Sequence, residues 1–277
     1  MPIFLLIILG LIVGLGAAWL FLIAPRLFGR PDAREFIRYD YAHRGWHGGA
    51  PKIEESTLPA FREAIVRGFG IEMDVRLTGD GIPVVFHDST LLRLFGRDVR
   101  VCDLSYRELS AYRFASGEGV PTLMQVLASV SGRVPLLIEL KTERDTTRLC
   151  QTVCSLLDRY TGFYAVESFD PFVLHWFRKN RVQVLRGQLL TRFQKEDSPL
   201  PRLVLWAAEN LLSGFLTRPD FVAYNWKYRR NLSLRMVKKL FGLIECNWTV
   251  QDMDTYNQLK QDGVVCIFEG FDPRQKR

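Results

Sequence analysis

Apolar runs of five to eight residues alternate along most of this chain with longer segments whose apolar positions recur every three or four residues. The short runs are typical of buried strands, and the longer segments have the period of helices that cover one side of a sheet. The pattern predicts strands near residues 39–43, 70–75, 83–87, 134–140, 163–168, 182–189, 220–224, 243–248 and 264–268. It predicts helices at residues 57–68, 122–131, 144–160, 171–180, 233–241 and 252–261.

Strands that alternate with helices indicate a parallel sheet. The predicted strands are one more than a (β/α)8 barrel needs, but the connection at residues 76–82 is too short for a crossover helix and reads as a tight turn. One run is therefore expected to be a hairpin arm or an accessory strand. An open doubly wound sheet is the alternative. Such a sheet usually has a glycine-rich phosphate-binding loop after its first strand, and the glycines after His43 do not have the spacing of that loop. We expect an α/β fold, a (β/α)8 TIM-type barrel.

Residues 3–24 carry no charged side chain and could cross a bilayer core of roughly 30 Å as one helix. A cleaved signal peptide is the alternative, but the run is long, nothing basic precedes it except the α-amino group, and Pro25 follows in place of a small-residue cleavage site. We expect a retained transmembrane anchor, a basic juxtamembrane linker at residues 25–38 and a barrel domain at residues 39–277.

Four arginines lie just after the apolar run, at Arg26, Arg30, Arg34 and Arg38. Positive residues remain on the cytoplasmic side, so we expect a single-pass protein of the cell membrane with its barrel inside. On a helix the spacing of four would form one basic stripe facing anionic headgroups. A plain flank of the anchor is the alternative, and Pro31 interrupts the pattern.

Residues 192–218 form an insertion after a predicted strand, and its second part, residues 200–216, is largely apolar. A helix packed on the barrel is one interpretation. A helix dipping into the bilayer interface is the other, and it is consistent with the interfacial side chains Trp206 and Phe215.

The overall charge is 37 − 30 = +7, which suits anionic partners without choosing among them. No nucleic-acid motif accompanies the charge, so we expect no nucleic-acid partner. The five cysteines match no zinc spacing and no disulfide framework, and they read as small buried side chains.

Charged and imidazole side chains cluster at the carboxyl ends of the predicted strands, which is where (β/α)8 enzymes place their active sites. These are His43 and Arg44, then Glu72 and Asp74, then His87, then Glu139 and Lys141. The three carboxylates predict an oxygen site for a hard divalent cation, Ca²⁺ or Mg²⁺, and no His/Cys cluster argues for zinc. Two histidines can serve as acid and base, and Arg and Lys can hold phosphate oxygens. The set predicts metal-assisted cleavage of a phosphate ester.

The same residues lie in segments that resemble the glycerophosphodiester phosphodiesterase family. The similarity runs from about residue 39 to near the C-terminus through AHRG at 42–45, ESTL at 55–58, EMDV at 72–75, TGDG at 78–81, PVVFHD at 83–88, IELK at 138–141, SFD at 168–170 and WTV at 248–250. The resemblance implies a (β/α)8 barrel that hydrolyses glycerophosphodiesters to sn-glycerol 3-phosphate and an alcohol. It implies a divalent metal on Glu72, Asp74 and Glu139, and acid and base roles for His43 and His87.

The resemblance also assigns phosphate contacts to Arg44 and Lys141. It matches Glu55 to an acid that follows the first strand, and we expect Glu55 to bind substrate as well. The chain departs from the family at residues 54–57, where EEST replaces Pro-Glu-Asn-Thr, and at Glu269, where the family commonly ends in Thr-Asp. Phe169 and Trp248 end strands, and they could line the pocket and meet a choline-like cation. Filling of the barrel is equally consistent with both.

Three alternatives remain open. The anchor and the apolar insertion favour lipid access, so a lysophospholipase D or a phospholipase C-like enzyme would also fit. The third is an inactive barrel that serves as a membrane binding module, although no histidine or carboxylate of the set is missing. His47 reads as a surface or accessory residue, and His175, in a helical pattern, is given no role. The alcohol, the choice of ion, which histidine is the acid and the oligomeric state are not readable from the sequence.

Overall fold

In the computed structural model, which describes residues 3–48, 52–193 and 200–275, eight parallel strands close into a barrel. The predicted (β/α)8 architecture is therefore confirmed, and the pairing of the first strand with both the second and the last closes the ring. The barrel strands are β1 Tyr41–Ala42, β2 Gly70–Leu77, β4 Leu136–Leu140, β5 Tyr164–Ser168, β6 Leu185–Leu190, β7 Phe221–Asn225, β8 Ile244–Val250 and β9 Val265–Phe268. The remaining strand, β3 Pro83–Val85, pairs antiparallel with the end of β2, so the predicted hairpin arm is confirmed as well.

Strand β2 illustrates why these sequences form a barrel. Ile71, Met73 and Val75 lie in the apolar layer between the barrel and its helices. Because side chains alternate along a strand, the residues between them point to the opposite face, into the barrel. Glu72 and Asp74 are therefore carried inside and are almost fully buried. The alternation that builds the core thus also delivers charges to the barrel interior.

The helices that cover the barrel follow the predicted pattern, with ends shifted by a few residues. They are α3 Leu58–Val66, α6 Leu123–Val130, α7 Thr146–Leu157, α8 Pro171–Asn180, α11 Leu232–Phe241 and α12 Met253–Gln261. Side-chain oxygens cap the first turn of each, from Thr57, Thr122, Asp145, Asp170, Asn231 and Asp252. The short helices α4 Leu92–Phe95 and α5 Tyr106–Leu109 have too few residues to show a helical period in the sequence. Two single-turn 3₁₀ helices lie at Val101–Asp103 and Trp226–Tyr228.

The described part of the insertion, residues 192–193 and 200–218, has an apolar stretch that forms two short helices, α9 Arg202–Glu209 and α10 Gly214–Thr217, and not one continuous helix. The break lies at Leu211, whose φ of +63° is left-handed and incompatible with a continuing α-helix. Both predicted interfacial side chains, Trp206 and Phe215, are exposed. Residues 194–199 of the predicted insertion lie outside the described residues.

The basic segment after the apolar helix packs closely on the barrel. Only α2 Arg34–Arg38 is helical there, so the four arginines do not form one helical stripe. Arg26 instead donates a hydrogen bond of 2.7 Å to Val182 O, and Arg30 donates one of 3.1 Å to Phe241 O. These side chains hold the segment along the barrel wall.

Phe36 of α2 covers the amino-terminal end of the barrel. Its ring lies 5.4 Å from that of Tyr41 and 4.5 Å from that of Phe221, and none of it is exposed. The segment that contains Phe36 is thus part of the hydrophobic core.

The N-terminal helix α1 Ile3–Ile23 is long and apolar enough to cross a membrane. Most of its large side chains are exposed, but Ile23 is 1% exposed and lies in a cluster with Leu190 and Tyr224. Gly214 of α10 allows the close approach, because a Cβ there would lie 2.7 Å from Leu22 O and 2.9 Å from Ile23 C. Arg218 donates hydrogen bonds of 3.2 and 2.8 Å to Phe21 O and Ala24 O at the end of α1.

The five cysteines are buried and form no disulfide, as the sequence predicts.

The first prediction concerns the core role of Phe36. Phe36→Ala should lower the free energy of unfolding by about 3–5 kcal/mol, because it leaves a cavity between Tyr41 and Phe221. Chemical unfolding of the full chain measures this difference. Phe28→Ala is the matched control: Phe28 lies in the same segment, is 88% exposed, and should change stability by no more than about 0.5 kcal/mol. Equal effects of the two variants would show that the segment is a loose linker.

Candidate active site

Three carboxylates meet inside the barrel near the carboxyl ends of its strands. Glu72 and Asp74 point inward from β2, and Glu139 stands beside Asp74 on β4 as its register partner. One oxygen of each residue lies within 4.8 Å of an oxygen of the other two, and all three residues are buried. The structure thus brings together the three residues that the sequence suggests as metal ligands.

Burial and mutual repulsion oppose the ionised state of this cluster. Burial raises the pKa of Glu72 well above its usual value, and the neighbouring Asp74 and Glu139 add to the shift. Burial likewise raises the pKa of Glu139 to about 7, against the opposing charge of Lys141. For Asp74, burial would raise the pKa, but the positive charges of Lys141 and Arg44 outweigh this effect and lower it. Without a bound cation, ionisation of all three carboxylates is therefore energetically unfavourable.

The donor set suits a hard divalent cation. Asp74 lies 3.1 Å from Lys141 Nζ and 3.6 Å from Arg44 Nε, yet among the described residues neither of its buried oxygens has a hydrogen-bond partner. A buried carboxylate with unused lone pairs is expensive unless an ion or a proton compensates it. Oxygen ligands of this kind are those that Ca²⁺ and Mg²⁺ prefer.

His43 directly follows β1 and is oriented by Glu269, the residue after β9. Its Nδ1 lies 2.6 Å from Glu269 Oε2, and its Nε2 lies 4.0 Å from Glu72 Oε2. Gln251 donates a hydrogen bond of 2.6 Å to the other oxygen of Glu269. The bond from His43 lowers the pKa of Glu269 to about 2, so this carboxylate is ionised at neutral pH. A carboxylate on Nδ1 fixes the ring and leaves Nε2 facing the cluster.

His87 has a similar partner in Asp88, whose Oδ1 lies 2.6 Å from His87 Nδ1. Arg76 holds the backbone of His87, with Nε and Nη2 donating to the carbonyl oxygen at 2.9 and 2.7 Å. Burial lowers the pKa of His87 to about 4, and Lys141 and Arg44 add to this effect while Asp74 opposes it. The imidazole of His87 is therefore neutral at pH 7.

Arg44 and Lys141 place positive charge next to different oxygens of Asp74. The turn at Arg44 and Gly45 has φ values of +56° and +80°, and the Arg44 backbone N–H donates a hydrogen bond of 2.9 Å to Glu72. Lys141 donates one of 2.8 Å to Glu139 Oε1. Both side chains line the same pocket as the two histidines, within reach of a bound anion.

Glu55 stands behind Arg44. It accepts a hydrogen bond of 2.8 Å from Arg44 Nη1 and bonds of 2.5 and 3.1 Å from Arg93. Arg93 also donates a bond of 2.6 Å to Asp88, the partner of His87. Glu55 thus lies one contact away from the pocket, where it supports Arg44.

Phe169 and Trp248 form part of the pocket wall, which is one of the two positions that the sequence leaves open. Their rings meet edge to face at 5.8 Å, and Trp248 Nε1 donates a hydrogen bond of 3.1 Å to Ala223 O. The two remaining histidines contact none of the three clustered carboxylates, Glu72, Asp74 and Glu139. His47 Nε2 is 3.8 Å from Glu269, and His175 Nδ1 is 3.2 Å from Leu216 O on the outer layer.

Sequence reasoning missed several polar residues of this region, among them Glu269, Arg76 and Glu167. Glu269 was noted only as a departure from a family pattern, Arg76 was not considered, and neither was Glu167. Glu167 is the register partner of Glu139 on β5 and lines the pocket. Burial and the other carboxylates raise its pKa well above the usual value. Its inward position could have been found from the strand period, since it alternates with the apolar Val166 and aligns with Glu139.

Comparisons with known proteins point to one family. The model of the glycerophosphoryl diester phosphodiesterase family matches residues 43–271. Glycerophosphodiester phosphodiesterase 1 of Homo sapiens is 37% identical over 251 residues, which cover 77% of this chain and 72% of that protein. A lysophospholipase D of Mus musculus is 31% identical over 208 residues, which cover 70% of this chain and 60% of that protein.

The fold is shared with solved structures. A phosphodiesterase from Oleispira antarctica, solved in complex with the product sn-glycerol-3-phosphate, superposes with a TM-score of 0.70 at 24% identity. The superposition covers 86% of this chain and 94% of that one, so the likeness extends over nearly the whole barrel.

The second prediction concerns Glu269 as the residue that orients His43. Glu269→Gln should lower kcat by at least about 10²-fold, because an amide can hold the wrong tautomer of the imidazole, a change that can cost about 10⁴-fold in a catalytic triad. Steady-state kinetics with a phosphodiester substrate measures the loss, and the unfolding transition should stay in place. Asp254→Asn, an exposed carboxylate in the first turn of α12, is the control and should have no effect. A Glu269→Gln enzyme with unchanged kcat would contradict the assignment.

Proposed function

Because this chain belongs to the glycerophosphoryl diester phosphodiesterase family, we propose that it hydrolyses glycerophosphodiesters to sn-glycerol 3-phosphate and an alcohol. The chain is a phosphoric diester hydrolase, and its exact substrate is the subject of the proposal. The observation that carries it is the meeting of three buried carboxylates, two oriented imidazoles and two cationic side chains in one pocket. Each group has a role in transferring a phosphoryl group to water.

Members of this family depend on a divalent metal ion, and we propose Ca²⁺ or Mg²⁺ here, held by Glu72, Asp74 and Glu139. When bound, such an ion withdraws charge from the phosphate oxygens and stabilises the charge that develops in the transition state. Around it, Arg44 and Lys141 would bind the remaining phosphate oxygens through charge-assisted hydrogen bonds. These contacts would orient phosphorus between the two imidazoles.

The two histidines would move the protons. His87, whose lowered pKa keeps it neutral at pH 7, is suited to accept the proton of the attacking hydroxyl. His43, whose Nδ1 faces the ionised Glu269, is suited to hold a proton on Nε2 and to pass it to the leaving alcohol. In the net reaction one water is consumed, a new P–O bond forms, and the P–O bond to the alcohol breaks.

The alcohol would face the aromatic wall of the pocket. Phe169 and Trp248 present ring surfaces there, and a choline-like cation would be attracted to such a surface. Recognition of the head group would thus rest on shape and on the π faces of these rings.

A second candidate function is cleavage of a lysophospholipid, as the names of two relatives suggest for those proteins. The observation in its favour is the apolar surface of the insertion, where Leu203, Trp206 and Phe215 are 73%, 53% and 42% exposed. Side chains of this kind would be stable at a membrane interface beside the mouth of the barrel.

We also propose that α1 is a retained, single membrane span with the barrel on the cytoplasmic side. By length and composition alone, α1 would suit a signal sequence as well. The burial of Ile23 and the hydrogen bonds from Arg218 support retention, because cleavage after the apolar run would remove these contacts. The arginines that follow the run support the cytoplasmic orientation.

The direct test of function uses the purified full chain and glycerophosphocholine. We expect sn-glycerol 3-phosphate and choline in equal amounts when Ca²⁺ or Mg²⁺ is present. Excess chelator should abolish turnover, because the three carboxylates repel one another when no cation is bound. Added Ca²⁺ or Mg²⁺ should restore turnover. Full activity in excess chelator would contradict the proposed metal dependence. A phosphorylated product other than sn-glycerol 3-phosphate would contradict the proposed reaction.

The next prediction separates the site histidines from a structural one. His43→Ala and His87→Ala should each reduce kcat by about 10²–10⁴-fold, the usual cost of removing a positioned acid or base. His175→Ala is the control and should be nearly silent, because His175 lies on α8 outside the pocket. Kinetic constants and unfolding curves of the three variants provide the comparison. A larger loss for His175→Ala than for either of the others would place the site elsewhere.

A further inference from the structure

A second, larger cavity opens directly from the catalytic pocket. Its inner end contains Glu139, Lys141 and Phe169, the same residues that line the pocket. From there a groove of about 910 Å³ runs outward between α8 and the helices α9 and α10. Its volume lies in the range of cavities that hold one ligand of drug size.

The character of the groove changes along its length. Charged and polar groups, including Arg76 and Gln188, lie at the inner end, whereas Phe172, Val204 and Leu212 dominate farther out. A ligand with one charged end and one long apolar end would match this change. An apolar surface of this extent is unfavourable when water covers it, so it would be a poor lining for a channel that admits water-soluble substrates.

The outer end of the groove reaches the apolar N-terminal helix, because Leu22 forms part of its wall. Phe215, another wall residue, stacks on Phe21 with ring centroids 6.4 Å apart. The groove is therefore continuous with the proposed catalytic pocket at one end and with the proposed membrane span at the other.

The path of the N-terminal segment orients the groove toward the bilayer. The backbone N–H of Arg26 donates a hydrogen bond of 3.1 Å to Pro219 O, just before β7 begins. Farther back along the chain, Leu20 packs with Ile23, Leu190 and Tyr224, close to the carboxyl ends of β6 and β7. Traced backward from Arg26, the chain therefore runs from the amino-terminal side of the barrel to the catalytic rim. The remaining, earlier turns of α1 extend past that rim. A membrane that holds these turns would face the catalytic mouth.

We propose that this groove binds the single acyl chain of a lysophospholipid that enters from the bilayer, with its phosphodiester in the catalytic pocket and α1 as one wall of the chain site. The proposal rests on the proposed function and narrows its substrate class. Cleavage would consume one water, break the P–O bond to the head-group alcohol and leave the acylated glycerol phosphate. The proton would follow the same route between His87 and His43.

The chain-length dependence of the wild-type enzyme tests this proposal first. Full-length protein in lipid nanodiscs would be given glycerophosphocholine and lysophosphatidylcholines of increasing acyl length. With kcat/KM expressed per concentration of substrate free in water, each methylene group moved from water into the groove is worth about a fourfold gain. The value should therefore rise steeply with chain length and level off when the groove is full, whereas partition into the bilayer alone would raise it with every added methylene group. Cleavage of glycerophosphocholine with no gain from the chain would overturn the groove and leave the proposed function standing. No cleavage of any of these diesters would overturn the proposed function itself.

A variant that fills the groove adds a local test. Ala208→Phe places a ring in the groove from α9 and should lower the ratio of lysophosphatidylcholine to glycerophosphocholine turnover at least tenfold. Val66→Phe, at the end of α3, outside the groove and 81% exposed, is the control and should leave the ratio unchanged. A fall of both substrates in proportion, or an unchanged ratio for Ala208→Phe, would contradict the proposal. If Ala208→Phe fails to fold, the chain-length series on the wild type still decides.

Discussion

The burial of three carboxylates at one end of the barrel is the constraint on which the rest of the site depends. Glu72, Asp74 and Glu139 lie within 4.8 Å of one another in a place where water reaches them poorly. Such a cluster is stable only with compensating charge. Lys141 and Arg44 supply part of that charge through contacts with Asp74. The negative charge that remains uncompensated is the basis of the proposed cation site.

A second set of charged side chains surrounds this cluster and orients the two histidines of the pocket. Glu269 aligns His43, and Asp88 aligns His87. Arg93 links Asp88 to Glu55, and Glu55 in turn holds Arg44, so one network of hydrogen bonds spans two loops of the catalytic rim. Removing one member of such a network leaves a partner unsatisfied, so its residues act as a unit.

The sequence was sufficient to predict the barrel, its accessory hairpin and the meeting of the main polar residues. The reason is that strand period and the carboxyl-end rule both follow from backbone geometry. The role of Glu269 could not be predicted from the sequence, because it depends on the closure of the barrel, which brings β9 beside β1 from the other end of the chain. The helix break at Leu211 could not be predicted either, because nothing in an apolar run marks one leucine as having a left-handed backbone conformation. Phe36 was counted with a linker because its partners, Tyr41 and Phe221, are adjacent only in the closed fold.

The central claim, that the carboxylate cluster exists to hold one divalent ion, is tested most directly by calorimetric titration. The chelator-treated full chain would be titrated with Ca²⁺ and, separately, with Mg²⁺, alongside Asp74→Asn, which removes charge from a residue whose oxygens have no hydrogen-bond partner among the described residues. We predict binding of one ion per chain in the wild type and at least tenfold weaker binding in the variant. Equal affinity in the two proteins, or the absence of binding to an active wild type, would contradict the account.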